Sequence, residues 1–180
     1  MTATLKVPVG PDDHSSGPED APVTLVEYGD FECPHCGAAY PILKTVLARL
    51  HGHVRFVFRH FPLTEAHPHA ASAAEMSELA AEHDRFWPMH DRLFENQRAL
   101  DDVALVRYLT ALDIPAREAV RVLDDHEFAT AVRADFRGGV RSGVNGTPTF
   151  FINGVRHAGR WDEAALIDAI QSAGRASREP

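Results

Sequence analysis

Cysteine is scarce in this chain: its 180 residues hold two, Cys33 and Cys36. No second pair is present to complete a closed four-ligand zinc site. A disulfide between two positions so close together would constrain little of the unfolded chain, which argues against a purely structural bridge. Basic residues are also outnumbered. Lys+Arg 18 against Asp+Glu 26 leaves a formal charge of −8 without a large basic run, so nucleic acid and anionic membrane surfaces are poor partners. No stretch approaches the roughly 18 consecutive apolar residues of a membrane span. The first residues lack a basic region followed by an apolar core, so no secretory signal is read. The expectation is a cytoplasmic protein, or a periplasmic or extracellular one if a leader precedes this sequence. Internal repeats and low-complexity segments are absent. A hydrophobic fraction of 44% suffices for one well-buried domain.

What the chain does have is Phe31-Glu32-Cys33-Pro34-His35-Cys36-Gly37. Val23-Thr24-Leu25-Val26-Glu27-Tyr28 before it is apolar and β-branched, a buried strand. After it, Leu43, Val46, Leu47 and Leu50 fall at helical spacing. Cys33 then stands at the mouth of a helix, Pro34 takes the first-turn position where a missing N–H costs nothing, and Cys36 lies one turn further in. Unpaired N–H groups and the positive end of the helix dipole favour an anion at Cys33. His35 can add a hydrogen bond or a positive charge. A stabilised thiolate attacks disulfides and leaves them more readily, and a stabilised dithiol makes its disulfide a stronger oxidant. Reducing and oxidising C-x-x-C pairs differ by about 150 mV, or ~7 kcal/mol for two electrons. Pro-His between the cysteines points to the oxidising end, while Asp30 and Glu32, expected in solvent on the rim, would oppose it. Thiol exchange is favoured over two small core residues.

Residues 1–22 have loop composition, with a short edge strand at Leu5-Lys6-Val7 as the one candidate element. The helix from Pro34 should kink at Pro41 and stop at Gly52. Val54-Arg55-Phe56-Val57-Phe58-Arg59 alternates as a second strand, parallel to the first and reached through the helix. From about 64 to 144 the spacing of Phe86, His90, Leu93 and Phe94, of Leu105, Leu109 and Leu112, and of Phe128, Val132, Phe136 and Val140 predicts four or five helices, with starts at Asp101-Asp102 and Pro115. Thr149-Phe150-Phe151-Ile152, Asn153-Gly154 and Val155-Arg156-His157 form a hairpin. A last helix from Asp162 turns Leu166, Ile167 and Ile170 inward and ends by Gly174. The fold class is α/β: βαβ, an all-helical insertion, then ββα. In domain terms, residues 23–175 hold the α/β domain and 176–180 a tail. His60, His67, His69 and His90 read as structural, with His67 and His69 capping a helix start and Arg59 and His60 held by nearby carboxylates, and no metal is expected.

Cys-Pro-His-Cys at a helix start after a strand, with Gly146-Thr147-Pro148-Thr149-Phe150 before a late hairpin, resembles the DsbA-like thioredoxin-fold thiol–disulfide oxidoreductases. It is similar to short bacterial members, some fused behind sodium/proton antiporters. The resemblance covers Pro22 to about Gly174. It implies a thioredoxin-like fold in which Cys33 is the exposed nucleophile, Cys36 the buried resolving thiol and Thr147-Pro148 a cis-proline loop that pairs with an extended substrate. Glu27 matches a buried acid that could relay the Cys36 proton. The implied activity is disulfide exchange with protein, peptide or small-molecule thiols through a Cys33 mixed disulfide, oxidase-type before reductase-type, with an unknown recycling partner and without a cofactor. The alternatives are a redox-sensitive peptide-binding module and a cytosolic disulfide reductase.

Overall fold

The computed structural model describes residues 3–177; the rest of the expected tails, residues 1–2 and 178–180, lies outside the described residues. Five strands form one sheet in the order β1-β3-β2-β4-β5. They are β1 His14–Ser16, β2 Val23–Gly29, β3 Val54–His60, β4 Thr149–Ile152 and β5 Val155–Arg156. The helices are α1 Pro34–Arg49, α2 Ala70–Glu82, α3 Phe86–Glu95, α4 Asp102–Thr110, α5 Ala116–Asp125, α6 Ala129–Arg141 and α7 Glu163–Ala176. The chain clusters into two units. One comprises the described residues of Met1–Gly29, Ala38–Arg59 and Gly138–Pro180, the other Asp30–Gly37 and His60–Arg137.

The first unit holds nearly all of the sheet. β2 is apolar along most of its length because both of its faces are covered, leaving only Thr24 half-exposed. β4 runs antiparallel to it, with Leu25 opposite Ile152, Glu27 opposite Phe150 and Tyr28 opposite Thr149. The Tyr28 and Phe151 rings meet edge to face at 5.9 Å. Asn153 and Gly154 both take positive φ, 47° and 78°, the backbone that a tight two-residue hairpin between β4 and β5 requires. α7 starts where the Asp162 carboxylate accepts the Ala165 N–H and buries Leu166 and Ile170. It continues through Ala176, two residues beyond the expected end at Gly174.

The edge strand differs from the sequence expectation. It is His14–Ser16, antiparallel to β3 with His14 opposite Phe58, and not Leu5-Lys6-Val7. The Arg59 guanidinium takes the Val7 and Pro8 carbonyls at 2.8 and 3.0 Å, and Pro8 has no N–H for a ladder. That stretch is therefore tied to a side chain, with a single strand-like bridge between Thr4 and Val155.

The second unit carries the segment between Gly29 and α1's first turn together with α2 to α5 and most of α6. Among the described residues, five helices and no strand lie between β3 and β4. Met76, Leu79, Met89, Leu93, Leu105, Leu109 and Val122 are buried in it. The four-residue recurrence in α6 holds only in part: Val132 is buried, but Val140 at its end is 53% exposed.

Candidate active site at the start of α1

β2 delivers the chain into a turn that ends at the cysteines. The Cys33 N–H donates to the Asp30 carbonyl at 3.1 Å, and the Cys33 carbonyl accepts the Gly37 N–H at 3.0 Å. Cys33 is thus the last residue before the helix and Pro34 its first, a placement in which the proline ring displaces no helical bond. Pro34 and His35 are exposed, while Cys36 is fully buried and its Sγ receives the Asp30 N–H at 3.5 Å.

Cys33 corrects one expectation. It is not exposed: the residue is 3% accessible. The side-chain amide of Gln97 donates to the carbonyls of Phe31 at 2.8 Å and Cys33 at 2.9 Å, drawing the turn inward and leaving Pro34 and His35 as its outer surface. Phe31, 1% exposed, anchors the same turn. Its ring lies 5.0 Å from Phe94, 5.8 Å from His90 and 5.9 Å from His60.

The acidic residues before the cysteines are a second correction. Asp30 is 2% exposed, not on a solvated rim. Its carboxylate accepts the Glu32 N–H at 2.8 Å, the Leu63 N–H at 2.9 Å and the His67 Nδ1–H at 2.7 Å. Glu32 is half-buried and accepts the His69 N–H at 2.6 Å. A buried carboxylate is tolerable only with such partners. His67 is pulled down by burial, but its hydrogen bond to Asp30 and the charges of Asp30, Cys33 and Glu32 outweigh this and hold its pKa above the ordinary histidine value.

The histidines do not cap the start of α2 with their side chains; His69 precedes it without a side-chain bond to it. His60 donates to Glu78 at 2.7 Å. Burial lowers its pKa, and Glu78 and Asp135 more than reverse that. His90 is packed against Phe31, Phe86, Trp87 and Phe94, with its Nδ1 3.1 Å from Asp91. The expectation that local carboxylates hold Arg59 is met by Asp13, which binds it through two oxygens at 2.7 and 2.9 Å.

Cys33, Pro34, His35 and Cys36 belong to the second unit; Glu27, Thr147 and Pro148 belong to the first. There the β2–β4 register brings Glu27 and the Thr147-Pro148 loop to neighbouring strands. Glu27 is 1% exposed, and the Thr147–Pro148 peptide bond is cis. A cleft of about 720 Å³ beside Pro148 is lined by Phe150, Arg156, His157 and Trp161. Asp30, His67 and Gln97 were not found from sequence as parts of the site. Asp30 had a local signal, its place three residues before Cys33. His67 and Gln97 are brought to the turn from 37 and 64 residues away.

A family model described as thioredoxin matches residues 10–172. The Na(+)/H(+) antiporter NhaA 3 of Salinispora tropica is 46% identical over 175 residues, which cover 97% of this chain and 27% of that protein. The chain therefore spans about a quarter of the length of the curated relatives it matches. Oxidised BdbD from Bacillus subtilis superposes with a TM-score of 0.84 at 25% identity, covering 97% of this chain and all of that one. Wolbachia pipientis alpha-DsbA1 gives a TM-score of 0.83 at 20% identity over 96% and 95% of the two chains. No helix among the described residues is long and apolar enough to cross a membrane. With a family match over most of its length and a mixed sheet flanked by seven helices, the chain belongs to the thioredoxin family, in its DsbA-like form.

Proposed function

We propose that residues 23–175, with the helical stretch at about 64–144 inserted, act as a thiol–disulfide oxidoreductase whose nucleophile is Cys33. The observation that carries this reading is the placement of Cys33 directly before Pro34 at the start of a 16-residue helix, with Cys36 inside the first turn. The helix dipole favours the Cys33 thiolate, and exposed His35 can donate toward it.

In the oxidising direction a substrate thiolate attacks Sγ of Cys33 in the Cys33–Cys36 disulfide. The substrate–Cys33 bond forms and Cys36 leaves as a thiolate. A second substrate thiolate then attacks the substrate sulfur of the mixed disulfide and Cys33 leaves, so the substrate is oxidised and the pair reduced. In the reverse direction Cys33 attacks the substrate disulfide, and Cys36 resolves the mixed disulfide. Glu27 is assigned the proton relay for Cys36, and the Thr147-Pro148 loop the main-chain pairing with an extended peptide. The substrates are protein, peptide or small-molecule thiols, and a separate redox partner recycles the pair.

Pro-His between the cysteines places the pair on the oxidase side. An oxidising dithiol in a reducing compartment stands mostly reduced and works as a reductase, so compartment decides direction. Antiport is named for relatives in which a stretch like this one is about a quarter of the length; exchange chemistry is the proposal for these residues.

The test is thiol-dependent insulin turbidity and mixed-disulfide trapping. Cys33→Ser abolishes turnover, and Cys36→Ser accumulates a covalent Cys33–substrate adduct. Unchanged turnover in Cys33→Ser refutes the assignment.

A further inference from the structure

We propose that His67, seated on the buried carboxylate of Asp30, is a positioning residue that supplies the positive charge stabilising the Cys33 thiolate. The inference deepens the exchange reading above and rests on it. Its basis is a charge problem that the turn poses. Asp30 and Glu32 precede Cys33 by three residues and one, and both carboxylates are drawn into the structure. Asp30 is spent on the Glu32, Leu63 and His67 donors, and Glu32 on the His69 N–H. With Cys33 ionised, three negative groups share one turn. Left uncompensated, like charges at this spacing push an ionising group toward its neutral form.

The clamp also answers where the compensating cation comes from. The Leu63–His69 stretch is held to the cysteine turn by both carboxylates, and this delivers the His67 ring to Asp30 at 2.7 Å with its side chain 17% exposed. The charged groups facing the ring are Asp30, Cys33 and Glu32, and each raises its affinity for a proton against the effect of burial. On its own stretch it is flanked by Glu65 and His69. Protonated, it makes the Asp30–His67 pair neutral and leaves the helix dipole acting on Cys33 with less opposition. Deprotonated or removed, it exposes Cys33 to the Asp30 charge. His35, the other histidine of the turn, is solvent-exposed and therefore more strongly screened.

Linkage makes this testable without a variant, because an effect of His67 on Cys33 requires an equal effect of Cys33 on His67. Histidine ring signals in NMR, followed through a titration of the reduced and of the disulfide form, are expected to show the His67 midpoint higher in the reduced form. In parallel, iodoacetamide alkylation of Cys33 near neutrality is expected to slow about tenfold in His67→Gln, the change for one unit in a thiol midpoint. His67→Arg, which keeps a cation, is expected to retain the wild-type rate. A His67 midpoint that is the same in both redox forms overturns the inference, as does equal slowing in His67→Gln and His67→Arg. If wild-type Cys33 ionises no more readily than Cys36, the exchange reading itself fails, an outcome distinct from either.

Discussion

Gly37 and Gln97 offer a quantitative check on how the cysteine turn is held. Gly37 lies in the first turn of α1, where alanine would ordinarily be preferred by about 1 kcal/mol. Here a Cβ would overlap the Gln97 side-chain Oε1 and stand 2.6 Å from its Cδ. The whole amide must move, and that amide holds the Phe31 and Cys33 carbonyls. Two hydrogen bonds at about 0.5–1.5 kcal/mol each make the loss about 1–3 kcal/mol. Set against the helix gain, Gly37→Ala is expected to destabilise the wild type by about 0–2 kcal/mol. In a Gln97→Ala background the clash and the bonds are already gone, so the same change is expected to stabilise by about 1 kcal/mol. The four proteins form a double-mutant cycle, read by equilibrium unfolding in urea. An identical effect of Gly37→Ala in both backgrounds refutes the claim that Gln97 clamps this turn.

The buried His60–Glu78 pair gives stability a pH dependence. Because the folded-state pKa of His60 is raised above 6.5, the folded protein binds more protons than the unfolded chain in the window above that value. The contribution is complete below 6.5 and is lost as pH rises through the folded value, so the urea midpoint of the wild type should fall there, and Glu78→Gln should flatten the fall. Arg59 makes five hydrogen bonds, to Asp13, Val7, Pro8 and Tyr28. Arg59→Met leaves buried Asp13 unpaired and should cost about 3–5 kcal/mol in unfolding free energy; a loss under about 1 kcal/mol would place the pair in the class of screened surface bridges. Phe31→Ala empties the space between Phe94, His90 and His60, and should cost about 3–5 kcal/mol by the same measurement. A near-neutral result would show that the ring does not anchor the turn.

The division between what could and could not be read in the sequence follows the range of the interactions. β2, β3 and the β4–β5 hairpin were legible because a buried strand writes its apolar pattern locally and Asn153-Gly154 supplies the turn. Helix starts at Asp101 and Asp162 were legible for the same reason: a capping carboxylate acts three residues away. The Cys-Pro-His-Cys placement at the mouth of α1 is local chemistry too. His14–Ser16 was not legible as a strand, since three polar residues pair with β3 only because Arg59 has diverted the chain at Val7 and Pro8. The burial of Cys33 and Asp30 was likewise hidden. A carboxylate's environment is set by whichever donors arrive, and the main chain of Leu63 and the ring of His67 come from more than thirty residues away. Sequence by itself determined that two thiols stand at a helix start, because backbone geometry within one turn suffices for that. Tertiary structure alone decided which charges face them, because electrostatic neighbours are chosen by packing and not by order along the chain.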